Sequence, residues 1–305
     1  MMTTKVMQNK HIEHPEDSIL TGDLSVLDWF SEPDSIISTK MDGAPAIVWG
    51  TDPATGTFFV GTKSVFNKIK IKINHSHEEI DANHTGKVAR ILHACFDCLP
   101  RTGCIFQGDF IGYGGSLIYR PNTITYIFPE IISEDIIIAP HTIYVAENDL
   151  RNAIASPMVL CPKSTDNCLF VKPDVELCPY REDLEDVCNF AKQMSMLCEF
   201  LTPAQATKIK KHINDCIRNQ NDICEYEIAE KFDCDANVIR LWKLVASIKD
   251  DLVYGFIRET DDIATMIGDQ DSSHEGYVIS NKYGMFKVVN RQEFSRMNFI
   301  LEKSW

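Results

Sequence analysis

The hydrophobic period changes twice along this chain, and that double change limits the folds open to it. From Ile36 to Phe128 the apolar runs are short, rich in β-branched and aromatic residues, and punctuated by turn residues: SIISTK, APAIVWG, GTFFVGTKS, KIKIKI, CIFQGDFIGY and NTITYIF. Runs of this kind read as strands. TDPATGT, at 51–57, reads as a turn joining two of them, so an antiparallel sheet is the natural assembly. From Tyr180 to Ile257 the period becomes helical. Leu184, Val187, Cys188, Ala191, Met194, Cys198 and Leu201 recur at steps of three or four and share one face. Thr202-Pro203 supplies an N-cap and first helical residue ahead of a stripe of Ile209, Ile213, Cys216 and Ile217. A third stripe carries Ile239, Trp242, Val245, Ile248 and Leu252. After the polar stretch GDQDSSH, strands return in EGYVIS and MFKVVN. The pattern predicts an α+β protein in which a helical module, 146–266, is inserted into a sheet domain formed by 1–145 and 267–305. SVLDWF, ahead of the first strand, reads as one or two helical turns.

Composition narrows the function classes. No window approaches the ~18 consecutive apolar residues of a membrane span, and the first ten residues have no apolar signal core. A cytoplasmic protein without a membrane role is expected. Eleven cysteines, an odd count without secretory features, read as reduced thiols packed as small hydrophobes. Cys95 and Cys98 form the only close pair, with no second pair at zinc spacing. His11 and His14 read as surface or packing groups. A net charge of -14 argues against a protein that coats nucleic acid over its whole surface. A local groove remains open, because the stretch from Lys63 to His77 contains four lysines and no acid. Alternation of Lys68, Lys70 and Lys72 with isoleucine would put the lysines on one strand face, suited to a phosphate backbone. The same alternation also suits an edge strand protected from intermolecular pairing.

Lys40 is the conspicuous charge. It interrupts the strand-like ISTKMDGAPAIVWG and is followed by Asp42-Gly43. A lysine amine is a nucleophile only when unprotonated, and nearby cations or desolvation favour that state. Asp42 offers a carboxylate for a metal or hydroxyl, and Gly43 lets backbone approach a ligand closely.

Lys40-Met-Asp42-Gly43 resembles motif I of the covalent nucleotidyltransferases, the superfamily of ATP-dependent DNA ligases, RNA ligases and mRNA capping enzymes. Further segments resemble its other motifs in the same order. VGTKS (60–64) falls at motif Ia, IFQGDFIG (105–112) at motif III, and TITYIF (123–128) at motif IIIa. HEGYVIS (274–280) is similar to motif IV, and MFKVV (285–289) to motif V. The resemblance spans 37–290 and is nearest to viral or phage-type RNA ligases.

That resemblance implies two antiparallel sheets around an ATP cleft, and a covalent lysyl-AMP formed on Lys40. Lys63 and Lys287 would contact phosphate or ribose, and their field would lower the pKa of Lys40. Asp42 and Glu275 would hold Mg²⁺, or Mn²⁺ in its place. Asp109 would meet the ribose, and Tyr126 or Phe128 would stack on the purine, with Phe106 a third candidate; core packing is the other reading of each. Two departures stand out. Val289 occupies the position of a second motif V lysine, with Lys282 as an imperfect substitute. The chain also ends 18 residues after Lys287, too soon for an OB-fold. The expectation is therefore a polynucleotide ligase joining 5′-phosphate and 3′-hydroxyl ends, with RNA favoured and the helical module free to bind the acceptor or a protein. An adenylyltransferase acting on a protein or small molecule, and a catalytically retired binding module, remain alternatives.

Overall fold

A computed structural model describes residues 7–8, 12–158 and 161–291. Its architecture is α+β, with several antiparallel sheets and a separate layer of helices. The largest sheet has seven strands. It runs Met7–Gln8, Ile154–Pro157, Ile136–Val145, Ile105–Tyr113, Ala46–Thr51 and Phe58–Gly61, all antiparallel. Cys168–Phe170 joins it parallel to residues 136–138, leaving residues 142–145 to pair with Ile154–Pro157. The expected turn at 51–57 connects Ala46–Thr51 to Phe58–Gly61.

Facing this sheet is a three-stranded one, in which Gly276–Asn281 lies between Ile36–Lys40 and Gly284–Val289. Alternation gives each of these sheets two distinct faces. Between them, Val48, Ile105, Tyr144 and Ala155 pack with Val278 and Met285. On the far side of the large sheet, Ile47, Trp49, Phe106, Phe110 and Ile138 bury the apolar face of helix Gly86–Cys98. On the far side of the small sheet, Ile279, Phe286 and Val288 pack into the helical layer.

That layer contains Glu182–Ser195, Pro203–Asn219, Glu225–Phe232 and Ala236–Phe256. The three expected stripes are its core, and Thr202 with Gln205 forms a capping box at the start of the second helix. Its boundaries differ from those expected. Residues 154–157 and 168–170 belong to the large sheet, whereas the N-terminal helices Pro15–Ser18 and Ser25–Ser31 pack into the helical core through Ile19, Leu27, Trp29 and Phe30. No helix among the described residues is long and apolar enough to cross a membrane.

The expected KIKIKI strand does not form. Ile69 is 93% and Ile71 37% exposed while Ile73 packs against the core between the sheets, so the three do not share one buried face. The segment is instead a loop anchored at its end by Asn74, which exchanges backbone hydrogen bonds with Val60. Two helices that the residue pattern left unassigned, His77–Asn83 and Gly86–Cys98, follow it. All eleven cysteines are free thiols.

Candidate active site

Strand register builds the site. Lys40 ends its strand opposite Gly276, so its ammonium meets the carboxylate of the preceding residue, Glu275, in a direct ion pair. Val278 pairs with both Ser38 and Lys287, which puts Lys40, Val278 and Lys287 on one face of the small sheet. Across from them, Ala46 pairs with Asp109 on the large sheet. A cleft of about 490 Å³ opens between the sheets, lined by Lys40, Gly43, Lys63, Asp109 and Lys287, among others. These five expected residues therefore converge on one cavity.

Gly43 is required by proximity. A Cβ there would lie 2.7 Å from the Asp109 Cβ and 2.9 Å from the Phe110 carbonyl oxygen, inside ordinary contact. Gly43→Ala is expected to destabilise the protein by about 1–3 kcal/mol, because it forces the two walls apart. A shift in the urea unfolding midpoint, without a change in its slope, is the measurement that checks this.

Several expected assignments change. Asp42 is buried and its carboxylate is already satisfied. Oδ1 accepts from the Asn122 amide at 2.8 Å, and Oδ2 accepts from the backbone N–H groups of Thr123 and Ile124 at 2.7 and 3.1 Å. It anchors the 122–124 turn, with both oxygens already accepting hydrogen bonds. Tyr126 is fully buried, its hydroxyl accepting from the Asp42 N–H, and Phe128 packs edge-on against Tyr119 in the same core. Phe106 faces away from the cleft and stacks on Trp49 at 5.5 Å. Lys282 lies in the turn before Gly284 and pairs with Glu32, away from the cleft. Lys68 and Lys70 are exposed on the loop, while Lys72 donates to the Asn83 carbonyl at 2.5 Å. His14 is mostly buried behind Lys287, and His11 lies outside the described residues.

The aromatic groups that do line the cleft are Phe66 and Tyr144, with ring centroids 4.5 Å apart. The Tyr144 hydroxyl donates to Gln107 Oε1 at 2.9 Å, and Gln107 Nε2 lies 3.3 Å from His141 Nε2. His141 also approaches Asp109 at 3.7 Å. Residues 107 and 109 share a face by simple alternation, as do 142 and 144, so these groups were within reach of the sequence. His141 was not, because it sits at a register shift opposite Gln107 and Gly108. Pro140 beside it is the visible signal, since proline inside a strand marks an edge or a bulge.

The electrostatics correct a further expectation. Burial by itself would depress the Lys40 ammonium, but Glu275, Asp109 and Asp42 outweigh it and raise its pKa above the ordinary lysine value. Lys287 moves the other way, lowered by burial and by the charge of Lys40. Burial opposes ionisation of Asp109, yet His141, Lys40 and Lys63 hold its carboxyl below the usual range. The cleft thus offers lysines for anionic oxygens, two acceptor carboxylates and an aromatic wall in a space adequate for a small organic ligand.

A family model described as a family of unknown function, DUF6267, matches residues 9–234 and 226–303 of this chain. No curated protein and no solved structure matches it.

Proposed function

The chain belongs to the DUF6267 family, and from its own cleft we propose that it is an ATP-dependent polynucleotide ligase working through a lysyl-AMP intermediate, with RNA the favoured acceptor. The observation that carries this reading is the convergence of Lys40, Lys63, Asp109 and Lys287, with Glu275 on Lys40, from segments far apart in sequence. Lys40 Nζ attacks the α-phosphorus of ATP, so that a P–N bond forms as the bond to pyrophosphate breaks. Lys63 and Lys287 receive the charge that develops on phosphate oxygens. Phe66 and Tyr144 give the base an apolar wall, and Asp109 gives the ribose an acceptor. AMP then passes to a 5′-phosphate, and a 3′-hydroxyl displaces it to seal the strand.

A divalent cation fits this donor set with one amendment. Glu275 and Asp109 would hold it, since Asp42 is committed to the 122–124 turn. Among the described residues no three His, Cys, Asp or Glu side chains converge on a metal position. Mg²⁺ normally takes one or two carboxylates and completes its shell with water and substrate phosphates, so two suffice. Its contribution when bound is neutralisation of the triphosphate.

Because carboxylates hold Lys40 protonated, the neutral amine is a minority species at neutral pH. Its fraction grows about tenfold per pH unit below the pKa. The rate of self-labelling by ATP is expected to climb continuously between about pH 7 and 9. A plateau reached by about pH 8 would mean that the bound site lowers this pKa instead.

Acceptor choice is tested by isolating labelled protein and chasing it with 5′-phosphorylated RNA, nicked duplex or no nucleic acid. AMP transfer to RNA, followed by sealing, is the expected result. Release of AMP to no polynucleotide would contradict ligase activity and favour a protein or small-molecule acceptor.

A further inference from the structure

Behind the large sheet, away from the cleft, two helices carry the same short pattern: His77-Glu-Glu-Ile-Asp81 on His77–Asn83 and His93-Ala-Cys-Phe-Asp97 on Gly86–Cys98. A spacing of four places His and Asp on one face of each helix. The pairs then cross. His77 Nε2 meets Asp97 at 3.0 Å, and His93 Nε2 meets Asp81 at 2.9 Å. The remaining ring nitrogens face one another, with Nδ1 of His77 2.6 Å from Nδ1 of His93.

With each Nε2 beside a carboxylate, Nδ1 is the nitrogen each ring has left for a ligand. The ring centroids are 4.9 Å apart with planes 21° from parallel, so the two Nδ1 atoms meet nearly head-on. Metal-bound histidines characteristically donate their second nitrogen to a carboxylate, which fixes the tautomer and strengthens the ligand. Here both do so.

We propose that His77 and His93 form a surface site for a borderline transition-metal ion such as Zn²⁺ or Ni²⁺, with Asp81 and Asp97 orienting the rings. Imidazole pairs suit these ions, whereas Mg²⁺ and Ca²⁺ take oxygen donors. Two N–metal bonds form, and water fills the remaining positions. Bonds of about 2 Å at tetrahedral angles need the nitrogens roughly 3.3 Å apart and the rings turned from head-on toward a common apex. Both side chains reach solvent, at 44% and 28% exposure, which leaves room for both movements. The site is independent of the proposed ligase chemistry.

Calorimetric titration of the full-length protein with Ni²⁺ and with Zn²⁺ tests it. The expected result is a 1:1 binding component. Both His77→Gln and His93→Gln should lose that component, and Asp81→Asn should weaken it by about 10-fold. Thermal unfolding of each metal-free variant confirms that the comparison is between folded proteins. No saturable binding by the wild type would overturn the proposal. A component retained in both histidine variants would also overturn it, by assigning the metal to other groups.

Discussion

Glu16→Ala is expected to lower the stability of this protein by about 3–5 kcal/mol, the cost of breaking a buried ion pair from one side. Glu16 is fully buried, and its Oε1 accepts from Lys249 Nζ at 2.8 Å and Arg291 Nη1 at 3.0 Å. Arg291 also donates to Asp17 at 2.9 Å, and Asp17 accepts from Trp242 Nε1 at 3.0 Å. Two carboxylates thus balance two cations inside a packed interface between the first helix and the last long one. Without Glu16, the one carboxylate left beside Lys249 among the described residues is Asp250, 3.9 Å away, while Lys249 is itself 3% exposed. The partly uncompensated ammonium, more than the lost attraction, dominates the penalty. Urea unfolding reads the effect directly. A midpoint unchanged from wild type would mean that the network is solvated and contributes nothing to docking the N-terminal helices.

The largest effect on activity is expected at Lys40. Lys40→Ala removes the proposed nucleophile, and Lys40→Arg replaces it with a guanidinium that does not deprotonate in proteins. Neither variant should form a covalent nucleotide adduct at any pH. The fold should survive both, because Lys40 ends its strand at a solvent-reachable cleft and pairs with a single carboxylate. Glu275 then loses its cation, but water entering the cleft can solvate it, which limits the cost in stability.

Much of this site was legible in the sequence, for reasons specific to each residue. Lys40, Lys63, Asp109 and Lys287 sit on or beside strands, where alternation and order along the chain suffice to place side chains on common faces. Of the two readings of Phe106, core packing is the one that holds. It lies three residues from Asp109, an odd step, and so must face away. Asp42 failed for a different reason. Its carboxylate partners lie about 80 residues downstream, and nothing local distinguishes an anchoring aspartate from a metal ligand.

The fold divides along similar lines. Helical stripes from Leu184 to Leu252 mark a helical core faithfully, but the N-terminal helices that complete it are too short to announce their destination. KIKIKI alternates perfectly yet forms no strand, because alternation stabilises a strand only when neighbouring strands and an apolar layer receive it. The pKa of Lys40 was expected to fall from neighbouring cations. Three carboxylates, brought in by register and chain reversal, reverse that direction.

The central claim is that Lys40 accepts a nucleotide. Incubating the protein with α-labelled ATP and Mg²⁺, then digesting it and mapping the label, tests this most directly. The account predicts an acid-labile AMP adduct on the peptide containing Lys40, absent from Lys40→Ala. Wild-type protein that takes up no label, or a mutant labelled as strongly as wild type, would contradict it.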